Sequence, residues 1–476
     1  MQKTEGEDRF SLLTDDILLS ILGRVNITTA ARTSVLSKRW KHLPWLLQEL
    51  TIEAKDFLPG PLSCSAEAQH IDAAMALLTK AIRSFLATHQ RFSSLQLKLK
   101  LYLVDNYSDT IGPLLSEAIG VGTVKDSDLS ILGEKESENC NDEDMLQQAS
   151  SVDGFFRAYT GVLDCLTRLS LYNVFFSERD MNHILFDCCK QLQHLYLSNC
   201  DTGGLAAWKI HAPDSNLITL ELDMCFLGKL EVLHLPKLER LRWDGWMCPN
   251  APLSFGVVPC LKELYLLCGA AVYFKGFKLS EVLRDIRLRD LTLSFQGEKL
   301  WLQPEGKQLC PAFSNLRKLS LLDIYLEFDL LWTLVFLEAA PSVEIFDVEI
   351  WEHPCAMTPE ARGRTFGERT KPDWKMYEFS NGKEWLLKEV QITGFSPMDQ
   401  QMTFIRAVMQ RASNLRTLVL KDHAPCGECE EIGALPRSER LPAAELFPKD
   451  KEGQDMVVKQ LIRNMADCHV DIIFGI

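Results

Sequence analysis

The chain reads LTRLSL at 166–171, LQHLYL at 192–197, LITLEL at 217–222, LERLRW at 238–243 and LKELYL at 261–266. LRDLTL at 288–293, LRKLSL at 316–321, VEIFDV at 343–348, LKEVQI at 387–392 and LRTLVL at 415–420 repeat the same frame, apolar-x-x-apolar-x-apolar. Successive starts lie 26, 25, 21, 23, 27, 28, 27, 44 and 28 residues apart. A single frame of this kind arises in any amphipathic segment. Ten in near-constant phase mark a repeat, and all steps but one fit the roughly 20–29 residues of a leucine-rich repeat. Within each frame the second and third apolar residues alternate with polar ones, as a half-buried strand requires. Between frames the spacing turns helical: Met181, Leu185, Cys188 and Leu192 share one face, and Met402, Ile405, Met409 and Ala412 share another. Strand plus helix per repeat, stacked side by side, predicts an α/β solenoid with a curved parallel sheet along residues 152–351 and again from 384 to 476.

Outside the repeats the pattern changes. The step of 44 marks an insertion at 352–383, rich in Pro, Gly and Arg, whose Arg362, Arg364, Arg369 and Lys371 are expected to be solvated. Residues 133–151 contain EKESENCNDED, six acids with one lysine, and the like charge predicts a disordered acidic loop. Between 51 and 132, a helical pattern at Ile71–Leu86 and the alternating FSSLQLKLKLY from Phe92 predict a cap and first strands at one end of the stack. A helical pattern at Met456–Met465 and the strand VDIIF from Val470 close the other. Leu330–Ala340 is the most apolar stretch; with Thr333 and Glu338 inside it, it reads as a buried core helix.

Residues 10–45 carry more apolar side chains than a small helical unit can bury. Thr14 is placed to cap a first helix, with Asp15 and Asp16 in its first turn. Leu13, Ile17, Leu18, Ile21, Leu22 and Val25 form one broad apolar face. A second helix after Thr28 or Thr29 adds Val35, Leu36, Trp40 and Leu43, and Pro44 ends it. A unit of about forty residues rarely supports its own core, so this surface has to be covered by the solenoid or by another protein.

TSVLSKRW, Thr33 to Trp40, and LTDDILLSILGRV before it resemble a plant F-box, here spanning residues 8–50. KEVQITGFSPMDQQMTFIRAVMQRASNLRTLVL from Lys388 is similar to the FBD region of plant F-box/LRR proteins. The resemblance implies a three-helix F-box that docks a Skp-type adaptor through Leu13, Ile17, Leu18, Ile21, Leu22, Val35, Leu36 and Trp40. It further implies cullin and RING subunits recruited through that adaptor, and a repeat domain that captures a target protein. The family usually has proline where this chain has Thr14 and often at Asn26. That departure raises the alternative of a stand-alone repeat scaffold whose F-box has lapsed.

No catalytic constellation stands out, so a non-enzymatic receptor subunit without cofactor is expected. His423, Cys426 and Cys429 would supply three zinc ligands, completed only if Cys468 or His469 folds back; ordinary thiols in a turn are the favoured reading. The pair Cys188–Cys189 reads as core. On the open face of the strands, Tyr172, Tyr196, Arg240, Arg242 and Tyr265 are the target-binding candidates, because Tyr and Arg dominate binding hot spots. The formal charge of −14 argues against a general nucleic-acid or anionic-membrane binder. Fifteen scattered cysteines with no signal-peptide pattern point to reduced thiols in the cytoplasm or nucleus.

Overall fold

All ten repeat frames form strands in the computed structural model. It describes residues 12–58, 68–89, 95–103, 105–176, 182–203, 206–248, 250–268, 276–295, 301–326, 328–351, 384–423, 426–431, 433, 446–463, 465 and 469–475. Two units make up the chain, Met1–Gly204 with Ala212–Glu221, and Leu205–His211 with Leu222–Ile476. In the first, β1 (Glu49–Glu53), β2 (Leu95–Tyr102), β3 (Val124–Leu132), β4 (Leu166–Tyr172) and β5 (His194–Ser198) lie side by side in that order, every pair parallel. The second unit holds two sheets. β6 (Ala207–His211), β8 (Lys229–His234) and β10 (Leu253–Val257) form a three-stranded parallel sheet. β9 (Arg240–Trp246), β11 (Glu263–Cys268), β12 (Asp290–Ser294), β13 (Lys318–Tyr325), β14 (Ile345–Trp351), β15 (Glu389–Thr393), β16 (Thr417–Lys421) and β17 (Asp471–Gly475) form the other, again parallel and in chain order. The division between the units falls within β7 (Thr219–Asp223).

Register explains why the frame repeats. In the second unit Leu264 pairs with Leu291, Leu291 with Leu319, Leu319 with Phe346, Phe346 with Val390 and Val390 with Leu418. Each frame's second apolar residue therefore joins one buried column, while Tyr265, Asp347, Gln391 and Val419 between the apolar positions are half-exposed and Thr292 and Ser320 are buried. A repeat completes its core only against its neighbours. Seven residues after the start of each of several frames the chain enters the left-handed region: Asn173 (φ 56°), Asn199 (φ 50°), Met224 (φ 47°) and Gly394 (φ 76°) just after their strands, and Asp323 (φ 56°) at an irregularity within β13. Asn and Asp tolerate that geometry, and at Gly394 a Cβ would lie 2.2 Å from the Ile350 carbonyl oxygen, so only glycine fits. The buried asparagines form a ladder. Asn199 Nδ2 donates to Asn173 Oδ1 at 2.8 Å, and Asn173 Nδ2 donates to the Lys135 carbonyl at 2.7 Å.

Several sequence expectations hold. The cap helix is α3 (Ala68–His89), helices run at Asp399–Arg411 and Lys451–Ile462, and Leu330–Ala340 is a buried 3₁₀ turn plus short helix that includes Thr333 and Glu338. Others need correction. The acidic stretch 133–151 is not a loop throughout: after a 3₁₀ turn it begins a helix, Asp142–Ala158. Three of its acids occupy the favourable first turn of that helix, and Asn141 and Asp144 form a capping box, so the charge is placed where the helix dipole welcomes it. Nor does every repeat carry a helix. The steps of 25, 21 and 23 residues enclose β6, β8 and β10 instead, segments too short for a helix and two turns and with period-2 apolar residues at Trp208/Ile210 and Leu230/Val232. Cys189 is core, but Cys188 is only half-buried, on a π-helical turn. The insertion 352–383, with its arginines, lies outside the described residues. So do Met181 and Cys468. Among the described residues no helix is long and apolar enough to cross a membrane.

Candidate functional site

The F-box segment folds onto the first unit. α1 (Asp15–Leu22) starts at Thr14, which takes the cap position without a side-chain bond. α2 (Ile27–Arg32) starts at Asn26, whose Oδ1 accepts from the Thr29 N–H at 2.8 Å, a cap that proline cannot supply. The helix does not run on to Leu43 as the spacing suggested. It ends at Arg32, passes into a 3₁₀ turn at Thr33–Val35, and Pro44 lies inside a second 3₁₀ turn, Leu43–Leu46. Proline suits a first turn, where its missing N–H costs nothing. α1 packs on this second turn, and the Trp45 ring lies 4.3 Å from that of Phe85 of α3, tilted by 44°. Arg39 fastens the end of the segment to its beginning, donating to Asp15 Oδ1 at 2.7 Å and to the Leu13 carbonyl at 2.5 Å.

This packing splits the expected adaptor face in two. Leu18 and Leu22 are 0% and 2% exposed and belong to the chain's own core. Their assignment as contact residues is therefore corrected: one helical position is about 100°, so 18 and 22 point inward while 17 and 21 point outward. Ile17 (47%), Ile21 (36%), Val35 (84%) and Leu36 (66%) remain open, and Leu13 and Trp40 are half-buried. Leu12, Val25 and Leu46 are exposed as well; Leu12 and Leu46 were not singled out by periodicity because they lie outside the helices. Arginine pairing and a cap hold the segment while these large apolar side chains face solvent.

On the open face of the first unit, Tyr172 and Tyr196 come together with ring centroids 5.6 Å apart, and the Lys100 ammonium lies 5.8 Å from the Tyr172 ring centre. Lys98 pairs with Glu49 at 2.6 Å and Arg168 lies 3.6 Å from Asp128. Burial pushes the Asp128 carboxyl up, with Arg168 opposing. In the second unit Arg242 sits opposite Tyr265 in register, its guanidinium 5.8 Å from the ring centre and 2.8 Å from Asp244. Arg240 pairs in register with Glu263 on the same strand pair. Thus Tyr172 and Tyr196 form one aromatic–cation cluster with Lys100 in the first unit, and Arg242 and Tyr265 form another in the second. The sequence reading missed the carboxyls beside the second cluster. Asp323 is pushed up by burial, against the hydrogen bond from Ser294 (2.5 Å) and with the charge of Asp244, and Glu349 is pushed up by burial and then by Asp323. The sequence signal for Asp323 was its place seven residues into the frame, where other repeats carry Asn173, Asn199 and Gly394. Among the described residues no group of three or more His, Cys, Asp or Glu side chains is placed to hold a metal ion, and Cys468, named above as a possible zinc ligand, lies outside them.

A helical segment with an open apolar stripe ahead of parallel leucine-rich strands defines an F-box/LRR protein. Comparison with protein families agrees: the F-box domain matches residues 10–44, and the LRR domain described as At1g61320/AtMIF1 matches residues 154–442, more than half of the chain. The chain belongs to that LRR family and carries an F-box in front of it.

Proposed function

We propose that this protein is the substrate-recognition subunit of an SCF-type ubiquitin ligase. Its F-box docks a Skp-type adaptor, the adaptor brings cullin and RING subunits, and the repeats hold the target. The observation that carries the reading is the open stripe of Ile17, Ile21, Val35 and Leu36 on a segment whose inner face is already packed. Such a stripe on a folded unit needs a protein cover. The subunit needs no catalytic side chain, because holding a target near the charged ligase raises the effective concentration of its lysines. Tyr172 with Tyr196, and Arg242 with Tyr265, are the target contacts, in a protein acting in the cytoplasm or nucleus. The FBD-like segment from Lys388 supplies two of the target-facing strands, β15 and β16.

The test is a binding titration of the full chain against a purified plant Skp-type adaptor, with the Val35→Asp/Leu36→Asp variant alongside. Tight binding by the parent and none by a normally folded variant is expected. No binding by the folded parent would overturn the proposal and leave the scaffold reading.

A further inference from the structure

The turn between β4 and β5 carries a constellation that adaptor and target binding do not use. His183–Cys188 form six residues of π-helix. In an α-helix residues i and i+5 point about 140° apart; the wider π turn brings them onto one side, and such turns are rare and frequent at functional positions. Here Cys188 Sγ lies 3.7 Å from His183 Nε2, and Asp187 Oδ2 lies 3.2 Å from His183 Nδ1. An ionised carboxylate only accepts, so these partners place the imidazole proton on Nδ1 and aim the Nε2 lone pair at the thiol. The order is nucleophile, base, orienting carboxylate. His183 and Asp187 are exposed and Cys188 is half-buried, so a small reagent can reach the sulfur. Its neighbour Cys189 is sealed in the core, where burial pushes the thiol up to about 12. Burial, then the charge of Asp187, also pushes the Cys188 thiol up, with Lys190 opposing. The resting group is therefore a neutral thiol, and reaction has to move its proton.

We infer that Cys188 is a modification site for soft carbon electrophiles of the Michael-acceptor class, with His183 as its base and Asp187 holding the imidazole. The S–H proton passes to Nε2 while the sulfur electron pair forms a C–S bond to the β-carbon of an α,β-unsaturated carbonyl. The carbon–carbon π pair moves onto the enolate, which takes the proton back from the imidazolium. Every atom is retained and no oxidant is needed.

The molecule contains its own control. Cys140 is also half-buried, and its thiol is pushed up by burial and then by one aspartate, Asp144, and opposed by one lysine, Lys135. The same kinds of cause act at Cys188, so Cys140 serves as the reference rate and the His183 variants read what the imidazole adds. The experiment treats the folded full chain with substoichiometric N-ethylmaleimide and reads each cysteine by peptide mass spectrometry over time. Cys188 should be labelled at least about tenfold faster than Cys140, below the full effect of general bases in enclosed sites. His183→Ala should bring Cys188 to the rate of Cys140, and Asp187→Asn should lower it by less. Equal rates at Cys188 and Cys140 in the parent would overturn the inference. If His183→Ala exposes Cys189 to labelling, the turn has opened, and His183→Gln decides. It fills similar space without a base, so a rate that persists in it also overturns the inference, and a rate lost with Cys189 still protected supports it.

Discussion

Leu18 and Leu36 separate the two faces of the F-box segment, and their truncation should do opposite things. Leu18 is fully buried, so Leu18→Ala leaves a cavity behind α1 and should cost about 3–5 kcal/mol of stability. Val35 and Leu36 keep most of their surface in water. Replacing both by alanine should cost less than about 1 kcal/mol in the free protein, because little apolar area is withdrawn from contact. Against the adaptor the ranking inverts. Full burial of such side chains is worth about 1.5–3 kcal/mol each, and scaled to the fraction still open the pair contributes about 2–4 kcal/mol. That is a roughly 30- to 1000-fold weaker Kd for the double variant. Urea denaturation read by intrinsic fluorescence gives the stability arm, and calorimetric titration with a Skp-type adaptor gives the binding arm. A Val35→Ala/Leu36→Ala protein that binds like the parent, or a Leu18→Ala protein as stable as the parent, would refute the division into inner and outer stripes.

Other expectations follow from single side chains. The Asn173 side chain makes three hydrogen bonds, the third from Ser137 Oγ at 3.0 Å, in a left-handed conformation that leucine resists. Asn173→Leu should cost about 2–4 kcal/mol by denaturant melt, while Asn173→Gly should cost less, since it keeps the backbone geometry. Glu305 is a buried carboxylate that accepts from the Leu279 N–H at 2.7 Å and the Ser280 N–H at 3.2 Å. Glu305→Ala orphans both N–H groups and the Ser280 hydroxyl that also donates to it, and should destabilise by about 1–3 kcal/mol in the same melt. Asp323 has its folded pKa raised above the ordinary 3.8, so the folded state holds its proton longer than the unfolded state does. Stability should then fall as pH rises from about 4 through the folded value. Asp323→Asn should raise the melting temperature at pH 7 and flatten that decline; a lower melting temperature at pH 7 would show the carboxylate to be stabilising.

Much of the architecture was legible in the chain. Periodicity is a local property: leucines two residues apart must share a strand face, and ten frames in phase must stack, because no repeat can bury that face by itself. The terminal helix and strand, the cap helix α3 and the buried stretch at Leu330–Ala340 were readable for the same reason. Trp208 and Val232 show the limit. Their alternation was present, yet the helical spacing of other repeats hid it until neighbouring strands paired.

The sites were less legible, since exposure is decided by what packs nearby. Composition along 10–45 established that apolar surface was in excess; it did not say which half would be covered. Leu18 and Ile17 are adjacent and equally greasy, and only the 3₁₀ turn at Leu43–Leu46, brought under α1 by the chain itself, settles that one is core and the other open. Tyr172 meets Tyr196, and His183 meets Cys188, for the same kind of reason. Strand registry and a widened helical turn set distances in space that residue order leaves undetermined.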